Sequence, residues 1–162
     1  MALNFAGATT LTAAGVADAS LDASGVLSVP NRPICWLASG TTAYGVGSDI
    51  VLSAVGYNVG NCYNTSNGRF TAPIAGVYHV MWRQLAQNAS AAQSYVFALY
   101  VNGKYYIKSW TNKMAVNSWN SNSFRTHVYL NAGDYCTLRY LEGNSTTYTD
   151  GNYSQFSIQL VG

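Results

Sequence analysis

Asn67-Gly68-Arg69-Phe70-Thr71-Ala72-Pro73-Ile74-Ala75-Gly76-Val77-Tyr78-His79-Val80-Met81-Trp82-Arg83-Gln84-Leu85 is the most informative run in this chain. Asn67-Gly68 signals a tight turn, because both residue types tolerate positive φ. Phe70 then enters a core, and Pro73 opens an irregular crossing. Gly76 allows close backbone approach before a strand begins. In that strand one face carries Tyr78, Val80, Trp82 and Gln84. The other carries Val77, His79, Met81, Arg83 and Leu85. A half-exposed strand alternates apolar with plainly polar residues, and this one is bulky on both faces. Two readings fit: a core on one face with a subunit interface on the other, or a central strand in a thick monomeric sandwich. The scarcity of charge elsewhere favours the interface.

Moving outward, β-rich runs recur at Ile34–Ser39, Ile50–Val55, Arg69–Ala72, Val77–Gln84, Tyr95–Val101, Tyr105–Trp110, Phe124–Leu130, Tyr135–Leu141 and Phe156–Val161. Asn102-Gly103, Ala132-Gly133-Asp134 and Asp150-Gly151-Asn152 punctuate them. No sustained helical period interrupts the series. An all-β sandwich or jelly roll follows.

The first thirty residues differ. They hold one aromatic, Phe5, and their only charges are Asp18 and Asp22. Pro30 and Pro33 stiffen the junction, since each biases its predecessor away from helix. Residues 1–30 therefore read as an extended arm or anchor, and residues 31–162 as the folded domain. Within the arm, Val26–Val29 is a plausible strand after the turn-like Asp22–Gly25. Thr9–Ala19 is a weak candidate helix.

Composition narrows the function. Charged residues make up 9% of the 162 and the formal net charge is +2, so no basic field suggests nucleic acid. A hydrophobic fraction of 49% is ample for a core and excludes a disordered chain. No Lys or Arg precedes Arg32, so a secretory leader is not expected, and polar residues interrupt every stretch that could cross a bilayer. Cys35, Cys62 and Cys136 are odd in number and widely spaced. They read as small buried hydrophobes of a protein made in a reducing cytosol. The histidines His79 and His127 each sit mid-strand among large side chains and read as structural. No G-x-S-x-G, H-E-x-x-H or P-loop is present, so neither an enzyme nor a cofactor is expected.

The spacing of Leu52, Asn58, Tyr63, Phe70, Gly76, Tyr78 and Val80 resembles the signature of the C1q/TNF-like jelly roll, with Leu52 and Val80 standing where aromatics are usual. Asn58, Tyr63, Phe70, Gly76 and Tyr78 match it fully. Gly133-Asp134-Tyr135 and Phe156–Leu160 resemble the family's last strands, with Ile158 in place of a usual Gly. The resemblance implies a jelly-roll β-sandwich that assembles as a homotrimer around a threefold axis, with loops facing outward. Tyr78, His79, Trp82, Phe124 and Leu160 are its candidate interface residues. Some relatives hold calcium through loop carboxylates, which makes Asp134, Glu142 and Asp150 candidates, although no metal is expected. Two loops, Thr111–Asn122 and Gly143–Asn152, mix aromatics with Asn, Ser and Thr. Trp110, Trp119 and Tyr148 are their candidate contacts for a carbohydrate or protein.

A second, shorter resemblance lies in Asp22-Ala23-Ser24-Gly25-Val26-Leu27 and the Pro-containing junction. It is similar to phage virion proteins that carry C1q-like trimers. It implies a capsid decoration, or cement, protein made in the host bacterial cytoplasm and located on the virion. The arm, through Phe5, Leu11 and Leu21, would dock on the phage major capsid protein. The alternative is the receptor-binding head of a tail fibre or spike that recognises a host-cell surface receptor, glycan or protein. No membrane or nucleic-acid partner is expected.

Overall fold

The computed structural model describes residues 32–38, 42–88, 94–111, 118–143, 145–148 and 153–161, and the short strands 9–11, 19–21 and 27–28. The chain divides into two compact units, Met1–Arg32 and Pro33–Gly162. In the first, β1 (Thr9–Leu11), β2 (Ala19–Leu21) and β3 (Leu27–Ser28) form a small antiparallel sheet in that order. The expected helix over Thr9–Ala19 is thus corrected at both described ends, residues 12–18 lying outside the described residues. Thr9 and Thr10 favour extended backbone, and β1 pairs Thr9 with Leu21 and Leu11 with Ala19. The turn at Asp22–Gly25, and Phe5, lie outside the described residues.

Among the described residues, the second unit holds twelve strands in chain order. They are β4 (Ile34–Ala38), β5 (Thr42–Ala43), β6 (Ala54–Val59), β7 (Tyr63–Asn64), β8 (Arg69–Thr71), β9 (Gly76–Asn88), β10 (Tyr95–Val101), β11 (Lys104–Thr111), β12 (Trp119–Leu130), β13 (Tyr135–Glu142), β14 (Ser145–Tyr148) and β15 (Gln155–Leu160). The smaller sheet runs β11-β10-β13-β8-β7. The larger is built on β9. Strand β12 pairs with nearly the whole length of β9 on one edge. On the other edge β15 takes Tyr78–Arg83 and β14 takes Leu85–Asn88. Strands β4 and β6 continue beyond β15, and β5 beyond β14. All pairings are antiparallel.

The alternation read in the sequence places the core. Tyr78, Val80 and Trp82 of β9, Phe124 and Val128 of β12, and Phe156 and Ile158 of β15 face inward. They meet Phe70 of β8, Phe97 and Leu99 of β10, and Leu138 and Tyr140 of β13. Phe70 meets Tyr78 edge-on at 5.4 Å, a favourable aromatic geometry. Asn102 (φ 49°) and Gly103 (φ 74°) make the two-residue turn between β10 and β11. Gly68 (φ 70°) closes the 64–69 turn, where an added Cβ would stand 2.7 Å from the Ile50 carbonyl oxygen.

Strand β9 runs on to Asn88 past the expected Gln84, β12 begins at Trp119 rather than Phe124, inside the expected Thr111–Asn122 loop, and two further segments differ. Ile50–Ser53 is not a strand. Ile50 and Leu52 both bury fully, which a pleated strand that puts neighbours two apart on one face could also do, but their backbone is spent otherwise. Ile50 N–H donates to the Leu138 carbonyl at 2.8 Å, and Leu52 N–H donates to the Tyr63 hydroxyl at 3.1 Å. The strand starts only at Ala54. In the Gly143–Asn152 segment, Ser145–Tyr148 is a strand rather than loop, because β9 outlasts β15 and offers β14 a free edge.

Candidate functional site, the outer face of the larger sheet

Cross-strand register arranges the solvent side of the larger sheet into rows. One runs Val59, Ile34, Gln159, His79, His127 across β6, β4, β15, β9 and β12. The next runs Tyr57, Trp36, Ser157, Met81, Arg125. A third holds Gln155, Arg83 and Ser123. Val77 and Tyr129 pair at the other end. Ile34, Trp36, Val77, His79 and Met81 are half-buried in one chain, while Tyr57 and Tyr129 are exposed. Trp36 leans over Gly56, the residue that shifts the β4–β6 register, with its ring against Tyr57 at 6.4 Å. None of these five strands carries Asp or Glu, and their only Lys or Arg residues are Arg83 and Arg125. These two arginines flank a groove of about 180 Å³ with Ser123 and Gln155.

This geometry corrects the interface assignment. Tyr78 and Trp82 have no exposed area in the single chain and Phe124 has 7%. Leu160 also packs on the core. Because alternate residues of a strand point to opposite faces, Val77, His79 and Met81 are the β9 residues on the outer face. Of the five expected interface residues, His79 alone faces outward.

The signature residues hold the fold. Asn58 Oδ1 accepts from the N–H groups of Cys62 and Tyr63, both at 3.0 Å, and its Nδ2 donates to the Tyr63 carbonyl at 2.9 Å. Burial pushes the Tyr63 phenol above its ordinary range. Cys35, Cys62 and Cys136 are free and buried. Burial pushes the Cys136 thiol up to about 12. Cys35 is pushed up by its hydrogen bond with Cys62 and by burial.

The loop candidates gather at one end of the head. Trp110 is 57% and Trp119 49% exposed, at the two ends of the β11–β12 connection. Strand register sets Trp119 and Thr146 both opposite Gln87, and Tyr148 opposite Leu85. The core beneath this end turns polar: Gln84, Thr111, Asn122 and Ser154 are buried, and Ser109 and Asn122 are hydrogen-bonded side chain to side chain. Leu11 and Leu21 lie on β1 and β2 of the first unit.

The calcium candidates serve other ends or lie out of view. Asp134 accepts from Asn102 Nδ2 at 2.8 Å and from Asn131 N–H at 2.7 Å, clasping two turns. These bonds hold its carboxyl below the usual range. Glu142 is exposed, and Asp150 is outside the described residues. Among the described residues no three His, Cys, Asp or Glu side chains gather at one point.

The smaller sheet has a feature that sequence reading missed. Arg69 lies over Tyr135 at 4.3 Å, Lys108 over Trp110 at 5.0 Å and Arg139 over Tyr100 at 4.5 Å. Arg139 also pairs with Asp49 at 2.7 Å. Arg69 with Tyr135 and Arg139 with Tyr100 lie on different strands, so only the register could reveal them, whereas Lys108 and Trp110 are two apart on one strand.

Two antiparallel sheets in this order, closed over an aromatic core, define a jelly-roll head of the C1q/TNF type. The C1q domain family model matches residues 37–161, and the chain belongs to that family. The human protein Complement C1q tumor necrosis factor-related protein 3 is 29% identical over 129 residues, covering 79% of this chain. The chain spans about half the length of that relative, 50%. Among solved structures, the globular domain of a zebrafish complement 1qA protein aligns with a TM-score of 0.69 and 12% identity, covering 81% of this chain and 98% of that one. Eiger TNF from S. frugiperda aligns with a TM-score of 0.63 and 13% identity, covering 81% and 94%.

Proposed function

We propose that this chain is a phage virion structural protein, a homotrimeric decoration protein that docks on the capsid through residues 1–30 and projects its C1q-type head. The observation that carries the trimer is the outer face of the larger sheet, bulky and free of carboxylates in a family whose heads commonly form trimers. A solvated sheet face would carry polar residues at Ile34, Trp36, Val77 and Met81. The docking role draws on the separate first unit. It is a small Ala/Thr/Ser-rich sheet unit, without a collagen-type repeat in residues 1–30, followed by the Asp22–Leu27 element.

Two measurements test it. Sedimentation of the purified chain should give a trimer that Met81→Asp or Tyr129→Asp dissociates without unfolding; a wild-type monomer at micromolar concentration overturns the trimer. Incubation with expanded capsids should give stable decoration that deletion of residues 1–30 abolishes. Normal decoration by the shortened chain overturns the anchor.

A receptor-binding head is the second reading, and the exposed Trp110 and Trp119 with β14 at the same end favour it. It requires the purified protein to attach to host cells and Trp119→Ala to weaken that attachment.

A further inference from the structure

The chain has two histidines in 162 residues, and they are direct partners across β9 and β12. Their rings lie 5.1 Å apart between centroids, on the outer face, with His127 exposed and His79 half-buried. Chance pairing of the only two imidazoles opposite each other is the unusual fact, and its chemistry is specific. A metal ion bound about 2.0–2.1 Å from one nitrogen of each ring, at a tetrahedral angle, sets the two centroids roughly 5 Å apart. The pair already stands at that separation.

We propose that His79 and His127 form a two-imidazole site for a borderline divalent cation such as Zn²⁺, Ni²⁺ or Cu²⁺. Imidazole nitrogen suits these ions, while calcium and magnesium prefer several oxygen ligands. The five strands of this face supply no carboxylate, so the site discriminates against hard cations. The ladder fixes both Cα positions, and the Tyr106 hydroxyl holds the backbone beneath one ring by donating to the His127 carbonyl at 2.8 Å. The backbone therefore needs no reordering on binding. Water completes the coordination, and Arg125 in the next row keeps the affinity modest. A bound ion would staple β9 to β12 and stabilise the folded state by mass action. Both ligands belong to one chain and β12 is an edge strand of the larger sheet, so the site needs no residue of a second copy.

The test is calorimetric titration of the full chain with NiCl2 at neutral pH. One ion should bind per chain in the micromolar range, both imidazole spin systems should shift together in NMR, and the melting temperature should rise by several degrees. His127→Ala, at an exposed position, and His79→Gln should each weaken binding at least tenfold and remove the thermal shift. Equal binding by wild type and the double variant overturns the proposal. So do an equal response to MgCl2 or a stoichiometry of one ion per three chains.

Discussion

Asn58 offers the sharpest test of how the signature works. Its side chain makes three well-formed bonds, two accepted at 3.0 Å and one donated at 2.9 Å, with the Cys62 thiol a fourth, longer donor at 3.4 Å. Together they close the turn from β6 to β7 and hold Tyr63, whose hydroxyl in turn accepts the Leu52 N–H. Asn58→Ala removes all of them. Each such bond is worth about 1 kcal/mol net, and N–H groups left unpaired near the core cost about 1–3 kcal/mol more, though Asn58 is only half-buried and water replaces part of the loss. We expect a loss of about 2–4 kcal/mol. For a domain of this size that lowers the melting temperature by roughly 10 °C. Asn58→Asp keeps the acceptor and loses the donor, so it should fall between wild type and Ala. Urea unfolding followed by tryptophan fluorescence measures both. A loss below about 0.5 kcal/mol for Ala, or equal losses for Ala and Asp, would refute the reasoning, since surface substitutions lie in that range.

Other outcomes follow from the same structure. Asp134 has its folded pKa depressed by Asn102 and the Asn131 N–H, so its contribution is present above the unfolded carboxylate pKa and lost as pH falls through the folded value. Asp134→Asn should therefore melt below wild type at pH 7, with the difference shrinking as pH falls through the depressed folded pKa; a constant gap in thermal scans argues against it. Thiol reagent should modify none of the three cysteines in the native chain within minutes and all three in guanidinium, because they are buried and Cys35 and Cys136 are pushed toward the thiol form. Gly68→Ala combines a φ of 70° with a 2.7 Å approach to the Ile50 carbonyl and should cost about 2 kcal/mol or more in denaturant titration.

Much of the head was legible because its information is local. The turn residues Asn67-Gly68 and Asn102-Gly103 and the alternation of β10, β13 and β15 placed these strands within a residue or two, and fixed the start of β9 though not its end at Asn88. Which side of β9 faces outward was not legible in the same way. Tyr78 and Trp82 are as bulky as the residues opposite them, and the side that faces the core is set by Phe70, Phe97 and Phe156 on distant strands. Ile50–Ser53 misled because its apolar spacing imitates a strand while its hydrogen bonds go to β13 and Tyr63. Likewise β14 looks like loop in composition and becomes a strand only because β9 extends past β15.

That unequal pairing of β9 has a practical consequence. One strand runs from an oily interior, through Trp82, into a polar cap at Gln84, and changes neighbours between Arg83 and Leu85. Only that edge changes partner, since β12 runs alongside both halves. Foreign segments spliced between Thr111 and Ser118 would be carried on the cap, outside the aromatic interior. The head is thus suited to display, in which cargo is exchanged at one end while the aromatic core holds the two sheets together.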